Sequence, residues 1–270
     1  MILSPGSHCL FLPMPSNEKK EVGTVKSSIF KVQFDDSVKE YNKVDGILAI
    51  VYFFYYLLFT FLFGLLCFRT DCLKQLFVLS GIPSQRIYQF VFYIPVALLT
   101  AGPVFIILKC RKQNLKSIGL KNEKILKCIL LGILFSIPPT LCNVFSIKFG
   151  RLISFPDALW ALAYCFFEIA LAEDIVFRGF IQTRIQGLIR SKWLSIFVVA
   201  AMSLLIHIPF YAVEYNTTFV NYFLSHIVSL LLVFVMHIYF VYLYTRDNNI
   251  LAPVVAHAIV DFIPVLFSGM

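Results

Sequence analysis

Charge is scarce in this sequence. Only 14% of its 270 residues are charged, against 59% hydrophobic, with 29 phenylalanines and a mean hydropathy of +0.83. No water-soluble domain of this size needs so much apolar surface, so the composition points to an integral membrane protein. The motifs of several enzyme classes are missing. There is no HExxH of a zinc protease, no G-x-S-x-G around a serine, no GxGD of an aspartyl protease and no aspartate-rich diphosphate motif. The seven cysteines show no CxxC pair or metal-ligand spacing, and Cys67, Cys128, Cys142 and Cys165 lie inside apolar runs, where cysteine behaves as a small hydrophobe. Nothing resembles a nucleic-acid module. The net charge of +8 resides in short links between apolar runs, which fits membrane topology rather than a nucleic-acid partner. No early basic region precedes a long apolar core, so no cleaved signal peptide is expected.

What is present is a series of apolar runs. A bilayer core about 30 Å thick needs roughly 20 apolar residues per helix. Seven runs qualify: 47–68, 87–108, 125–147, 155–172, 194–212, 219–244 and 250–267. A shorter element at 73–82 reads as interfacial, which leaves the count at seven or eight. The fold class is therefore all-α, a polytopic transmembrane helical bundle over 46–270. Residues 1–45 read as a cytoplasmic leader, poorly ordered or interfacial, with "VKSSIFKVQF" (25–34) as a possible short amphipathic element. Pro95, Pro103, Pro138 and Pro139 fall inside runs and predict kinks.

Basic residues set the topology. The link carrying Lys109, Arg111, Lys112, Lys116, Lys121 and Lys124 is the richest and should be cytoplasmic, and the link with Arg184, Arg190 and Lys192 should share its side. "VEYNTT" (213–218) should face outward. Seven spans then place the N-terminus in the cytoplasm and the C-terminus outside; Arg69, Lys74 and Arg86 run against this orientation. The Lys-, Ile- and Phe-rich style of the chain suggests the plasma membrane of a bacterium.

Against this apolar background, "EIALAEDIVFRGF" (168–180) stands out. Each charge at membrane depth costs about 2.5–3.5 kcal/mol on insertion scales, so such residues mark function or a buried pair. On an α-helix Asp174 and Arg178 are four apart and face each other. Glu173 is rotated about 100° from Asp174 and is expected to lack that partner; Glu168 points about 140° away from Glu173. Two further runs carry polar groups: "SLLIHIPF", with His207, and "APVVAHAIVDFI", with His257 and Asp261 four apart on one face. Three helices could bring these groups together. A carboxylate can take a proton from water, an imidazole can hold or relay it, and other polar groups can stabilise an oxyanion. Glu173, His207 and His257 could also make a three-ligand zinc site with an open position. His226 and His237 are eleven apart on one face and suggest interhelical hydrogen bonds rather than ligation.

At these residues the sequence resembles the CPBP, or Abi, membrane family, which contains the Ras-converting CAAX endopeptidases and many bacterial relatives. The family pattern E-E-x-x-x-R, F-x-x-x-H, H-x-x-x-N/D reads here as E-D-I-V-F-R, S-L-L-I-H and H-A-I-V-D, in that order. Gly179 completes a frequent "FRG", and "LKSIGLKNEKILKCILLGI" is similar to the basic link and span that precede the family core, so the resemblance covers about 115–270. It implies a metal-independent glutamate endopeptidase, with no cofactor and no metal. Glu173 would be the general base on water and His207 would position or polarise that water. His257 and Asp261 would lie around the oxyanion site; Asp174 and Arg178 would support the carboxylates. The implied substrate is a CAAX-type prenylated or other membrane-associated peptide, met within membrane lipid. The sequence departs from the pattern at Asp174, Ser203 and Asp261, and an ionised aspartate at 261 cannot donate a hydrogen bond. Those departures motivate the alternative, a non-catalytic scaffold for bacteriocin immunity or regulation. The oligomeric state is not legible.

Overall fold

The fold was analysed in a computed structural model that describes residues 31–82, 84–144 and 150–267. Contacts divide the chain into 1–31 and 32–270, and the bundle belongs to the second unit. Among the described residues all regular structure is helical. Of the stretch 25–34, residues 25–30 lie outside the described residues and 31–34 form no helix.

Helix α1 (Lys43–Arg69) starts at a capping box: the Asn42 side chain accepts from the Val44 and Asp45 amides while the Asp45 carboxylate accepts from the Asn42 amide. At 27 residues it is about 40 Å long, ample for a bilayer. Helix α2 (Cys72–Ser80) stops at Gly81, whose φ of 64° few other residues adopt. Its nine residues reach only about 14 Å, so it cannot span, in keeping with the interfacial reading of 73–82. Helix α3 (Gln85–Cys110) is capped by Ser84 and holds Pro95 and Pro103; α4 (Ile125–Val144) holds Pro138 and Pro139. Helix α5 runs without a break from 155 to 189, capped by Ser154. Helices α6 (Lys192–Glu214), α7 (Phe219–Ser225), α8 (Ile227–Tyr244) and α9 (Leu251–Leu266) complete the bundle.

Five of these helices (α1, α3, α4, α6 and α8) are long and apolar enough to cross a membrane. Their outer faces carry Phe54, Leu98, Leu126 and Val228, each at least 60% exposed, an apolar surface that water would not tolerate at this extent. The protein is an integral membrane protein. The run 219–244, expected as one span, is divided at His226, whose backbone (φ −118°, ψ 21°) leaves the helical range.

Helix α6 is the inner post: 61% of its apolar window is buried, against 22% for α1, α3 and α4. Helix α1 packs along it, α8 lies on another side, and α9 packs most extensively on α4. That last pair needs Gly132, because a Cβ there would sit 2.6 Å from the Val255 Cβ. The second half of α5 threads the core, with Val176, Phe177, Phe180 and Ile181 essentially inaccessible.

A polar cap ties the links to this core. Arg184 is fully buried and donates to the Ser117 and Gly179 carbonyls, to the Ser117 and Thr183 hydroxyls and to Gln113 Oε1, with Tyr41 and Phe180 rings on its guanidinium. Asp247, in the turn before α9, receives Lys124 and Lys127, each at 2.7 Å. Asn249 donates to the Lys121 and Glu123 carbonyls, and the Ile250 amide donates to the Gly119 carbonyl. These bonds fix where α9 starts, and hence where His257 falls two turns later. Burial alone would raise the Asp247 carboxyl; the two lysines outweigh it and hold it below its ordinary value. The Lys121 hydrogen bond lowers Asp35 likewise.

Candidate active site

The site grows out of an irregularity in α5. Between Phe155–Ala163 and Gln182–Ile189 the helix opens into two π-helical stretches, Tyr164–Ala170 and Ile175–Ile181, which flank the single α-helical turn Leu171–Asp174. A π turn bonds i to i+5 and shifts every later side chain around the axis; such insertions are frequent at functional sites. Here it corrects the sequence expectation for Glu173. Five residues apart on an α-helix, Glu173 and Arg178 would diverge by about 140°. In the widened turn Arg178 reaches both acids, with Nη1 3.0 Å from Glu173 Oε1 and Nε 3.1 Å from Asp174 Oδ1. Glu173 is thus held by the arginine rather than left without it.

The arginine is almost fully enclosed, its side chain 2% exposed, with its guanidinium carbon 5.1 Å from the centre of the Phe240 ring. Asp174 is wholly buried, while Glu173 retains 14% exposure. Glu173 Oε2 makes no hydrogen bond among the described residues.

The first turns of α9 bring in His257. Its Nδ1 lies 3.3 Å from Asp174 Oδ2 and its Nε2 3.3 Å from Asp261 Oδ2, so the imidazole sits between two carboxylates. His207, from α6, turns Nδ1 back to its own Ser203 carbonyl at 2.8 Å. That bond takes the proton on Nδ1 and leaves Nε2 as the open nitrogen of the singly protonated ring. Ser203, standing at the expected aromatic position, is fully buried, and its hydroxyl finds no partner among the described residues.

Glu173, Arg178, His207, His257 and Asp261 line one partly open cavity of about 430 Å³, flanked by Leu232, Val233, Met236 and Phe240 of α8. Asp174 lies behind it, joined to Arg178 and His257. All six residues singled out in the sequence are therefore gathered from three helices. A larger hollow of about 930 Å³ lies between the 114–125 link, α5 and the start of α9, but its mostly apolar wall holds none of these groups. Among the described residues no cluster of three or more His, Cys, Asp or Glu side chains is arranged to hold a metal ion. For the Glu173–His207–His257 set the reason is visible at His257, where each nitrogen already faces a carboxylate.

Tyr211 was missed in the sequence and His226 misjudged, whereas His237 and Glu168 fall as expected. Tyr211 also lines the cavity; it is four residues after His207, so helical spacing could have flagged it. His237 is fully buried and its Nε2 lies 3.2 Å from Gln182 Oε1, an interhelical bond, whereas His226 bonds only its own Tyr222 carbonyl. Glu168 is not on the cavity wall. Both its oxygens are buried without a hydrogen-bond partner among the described residues.

Residues 155–263 match the family model described as type II CAAX prenyl endopeptidase Rce1-like. The matched segment runs from α5 into α9 and contains every residue of the cluster, and it is the CAAX protease family that the three motifs resemble. Comparison with curated proteins and with solved structures gave no match.

Proposed function

We propose that this protein is an intramembrane endopeptidase in which Glu173 activates water to cut a peptide bond of a CAAX-type prenylated or similarly membrane-associated peptide. A match to a protease family supports peptide hydrolysis in general. The observation that carries the finer reading is the convergence of Glu173, His207 and His257 on one cavity inside the helical bundle.

Each residue has a task that its surroundings suit. Arg178 grips one Glu173 oxygen and leaves the other without a partner among the described residues, where water can bond. His207, anchored through Nδ1, offers Nε2 as a second acceptor to orient that water. Glu173 takes a proton from the water as its oxygen attacks the substrate carbonyl carbon, and the carbonyl π electrons move onto oxygen. When the intermediate collapses, the C–N bond breaks and the proton on Glu173 passes to the departing amine. Asp174 and Asp261 hold the His257 ring from both sides and set its orientation. No metal is needed for this sequence of steps. The richly basic link around 109–124 supports a cytoplasmic N-terminus.

The test is cleavage by the purified full-length protein, in lipid nanodiscs, of a farnesylated peptide ending in a CAAX sequence, with products mapped by mass spectrometry. Cleavage that persists in a strong zinc chelator is expected. Binding of the peptide without cleavage would favour a non-catalytic scaffold instead.

A further inference from the structure

The reaction proposed above needs a hydrogen-bond donor for the oxyanion, since charge developing on the carbonyl oxygen is usually the largest demand in acyl transfer. The cavity wall can be searched for one. His257 has both nitrogens turned to carboxylates, so any N–H it carries is already taken up by Asp174 or Asp261. Asp261, whose Oδ2 faces His257 Nε2, offers only acceptors when ionised. His207 presents an acceptor nitrogen once Nδ1 is bonded to the Ser203 carbonyl. Arg178 is turned to Glu173 and Asp174. One neutral donor remains among the residues that line the cavity, the phenol of Tyr211.

Its position is built rather than incidental. The Tyr211 ring is sandwiched between His207, at 6.4 Å and 12°, and Tyr222, at 6.0 Å and 12°. The stack continues to His226, 4.3 Å beyond Tyr222. Four rings from α6 and the α7–α8 corner thus fix the tyrosine beside the water-orienting histidine. Tyr211 is 37% exposed, and its hydroxyl has no hydrogen-bond partner among the described residues.

We propose that the Tyr211 hydroxyl is the oxyanion donor of this site, a catalytic residue that takes the place of the amide which aspartate at 261 cannot supply. The inference rests on the hydrolase reading. The hydroxyl donates a hydrogen bond as the water oxygen–carbon bond forms and the carbonyl electrons move to oxygen; it gives up no proton, and the bond relaxes when the C–N bond breaks.

The experiment compares the wild-type protein with Tyr211→Phe and Tyr222→Phe on the farnesylated CAAX peptide. Both variants keep the ring stack and remove one oxygen. The expected result is a fall in kcat of about 10²–10³ for Tyr211→Phe with KM nearly unchanged, as for loss of one oxyanion donor. Tyr222→Phe should cleave like wild type. If the wild type cleaves and Tyr211→Phe matches it, or changes KM alone, the inference is overturned and the hydrolase reading stands. An equal fall in Tyr222→Phe assigns the effect to the stack and also overturns it. A wild type that does not cleave removes the hydrolase reading and this inference with it.

Discussion

Replacing Arg178 by methionine removes the cation shared by the buried Asp174 and the partly exposed Glu173. The wild-type arrangement has Arg178 3.0 Å from Glu173 and 3.1 Å from Asp174, with the aspartate side chain wholly inaccessible. Methionine fills a similar volume and keeps contact with Phe240, so the change acts mainly on charge. Breaking a buried pair by removing one partner costs about 3–5 kcal/mol, because the other charge is left uncompensated in a medium that solvates it poorly. Loss within this range is expected in denaturant titrations of the purified protein in mixed micelles, followed by circular dichroism. Lysine at 178 should fall between, since a single ammonium cannot bridge both acids as the planar guanidinium does. The sharper check is the double variant Arg178→Met/Asp174→Asn. With the most buried charge removed, it should be more stable than Arg178→Met alone, a non-additivity that residues in one network show. If Arg178→Met stays within about 1 kcal/mol of wild type, or the two changes simply add, the buried network is not what organises this turn of α5.

Two other outcomes follow from the surroundings of the site. A Cβ at position 179 would lie 2.6 Å from the Ile118 carbonyl oxygen, a backbone atom with little room to retreat. Gly179→Ala should therefore cost about 1–3 kcal/mol in the same titration, as overpacking does, and it should lower cleavage by displacing the turn that carries Arg178. The second concerns acid. The carboxyls of Asp247 and Asp35 are both held below their ordinary value of 3.8 by lysines. Their contribution is therefore present in full above pH 3.8 and is lost as the pH falls through their lower folded values. Asp247→Asn should flatten the stability profile in that acid window and leave it unchanged near neutrality in shape; a profile as steep as wild type would contradict the assignment.

Much of the architecture was legible because lipid imposes a simple rule on sequence. Apolar runs long enough to cross a bilayer became helices, and the run too short to do so became the nine-residue α2. The polar residues of the site were equally visible, since Glu173, His207 and His257 are conspicuous among leucines and phenylalanines. What could not be read is geometry that depends on packing. By hydropathy run 155–172 ends where the charges begin, yet α5 continues to 189, because Asp174, Arg178 and Arg184 find partners inside the bundle. The Glu173–Arg178 pair depends on a π turn, and no residue pattern between them announces one. The break at His226 carries neither glycine nor proline, so hydrophobicity alone merged α7 with α8. Tyr211 was within reach of helical spacing, but an aromatic residue in a span is ordinarily a lipid or core contact, and only the cavity distinguishes it.

The most direct measurement is the cleavage rate of the farnesylated CAAX peptide by Glu173→Gln, a change that removes the base and keeps the shape. The account expects the rate to fall by about 10²–10⁴ or more, with micelle elution and peptide binding as in wild type. Cleavage by Glu173→Gln at the wild-type rate would mean that water is activated elsewhere, and the assignment of this glutamate would be wrong.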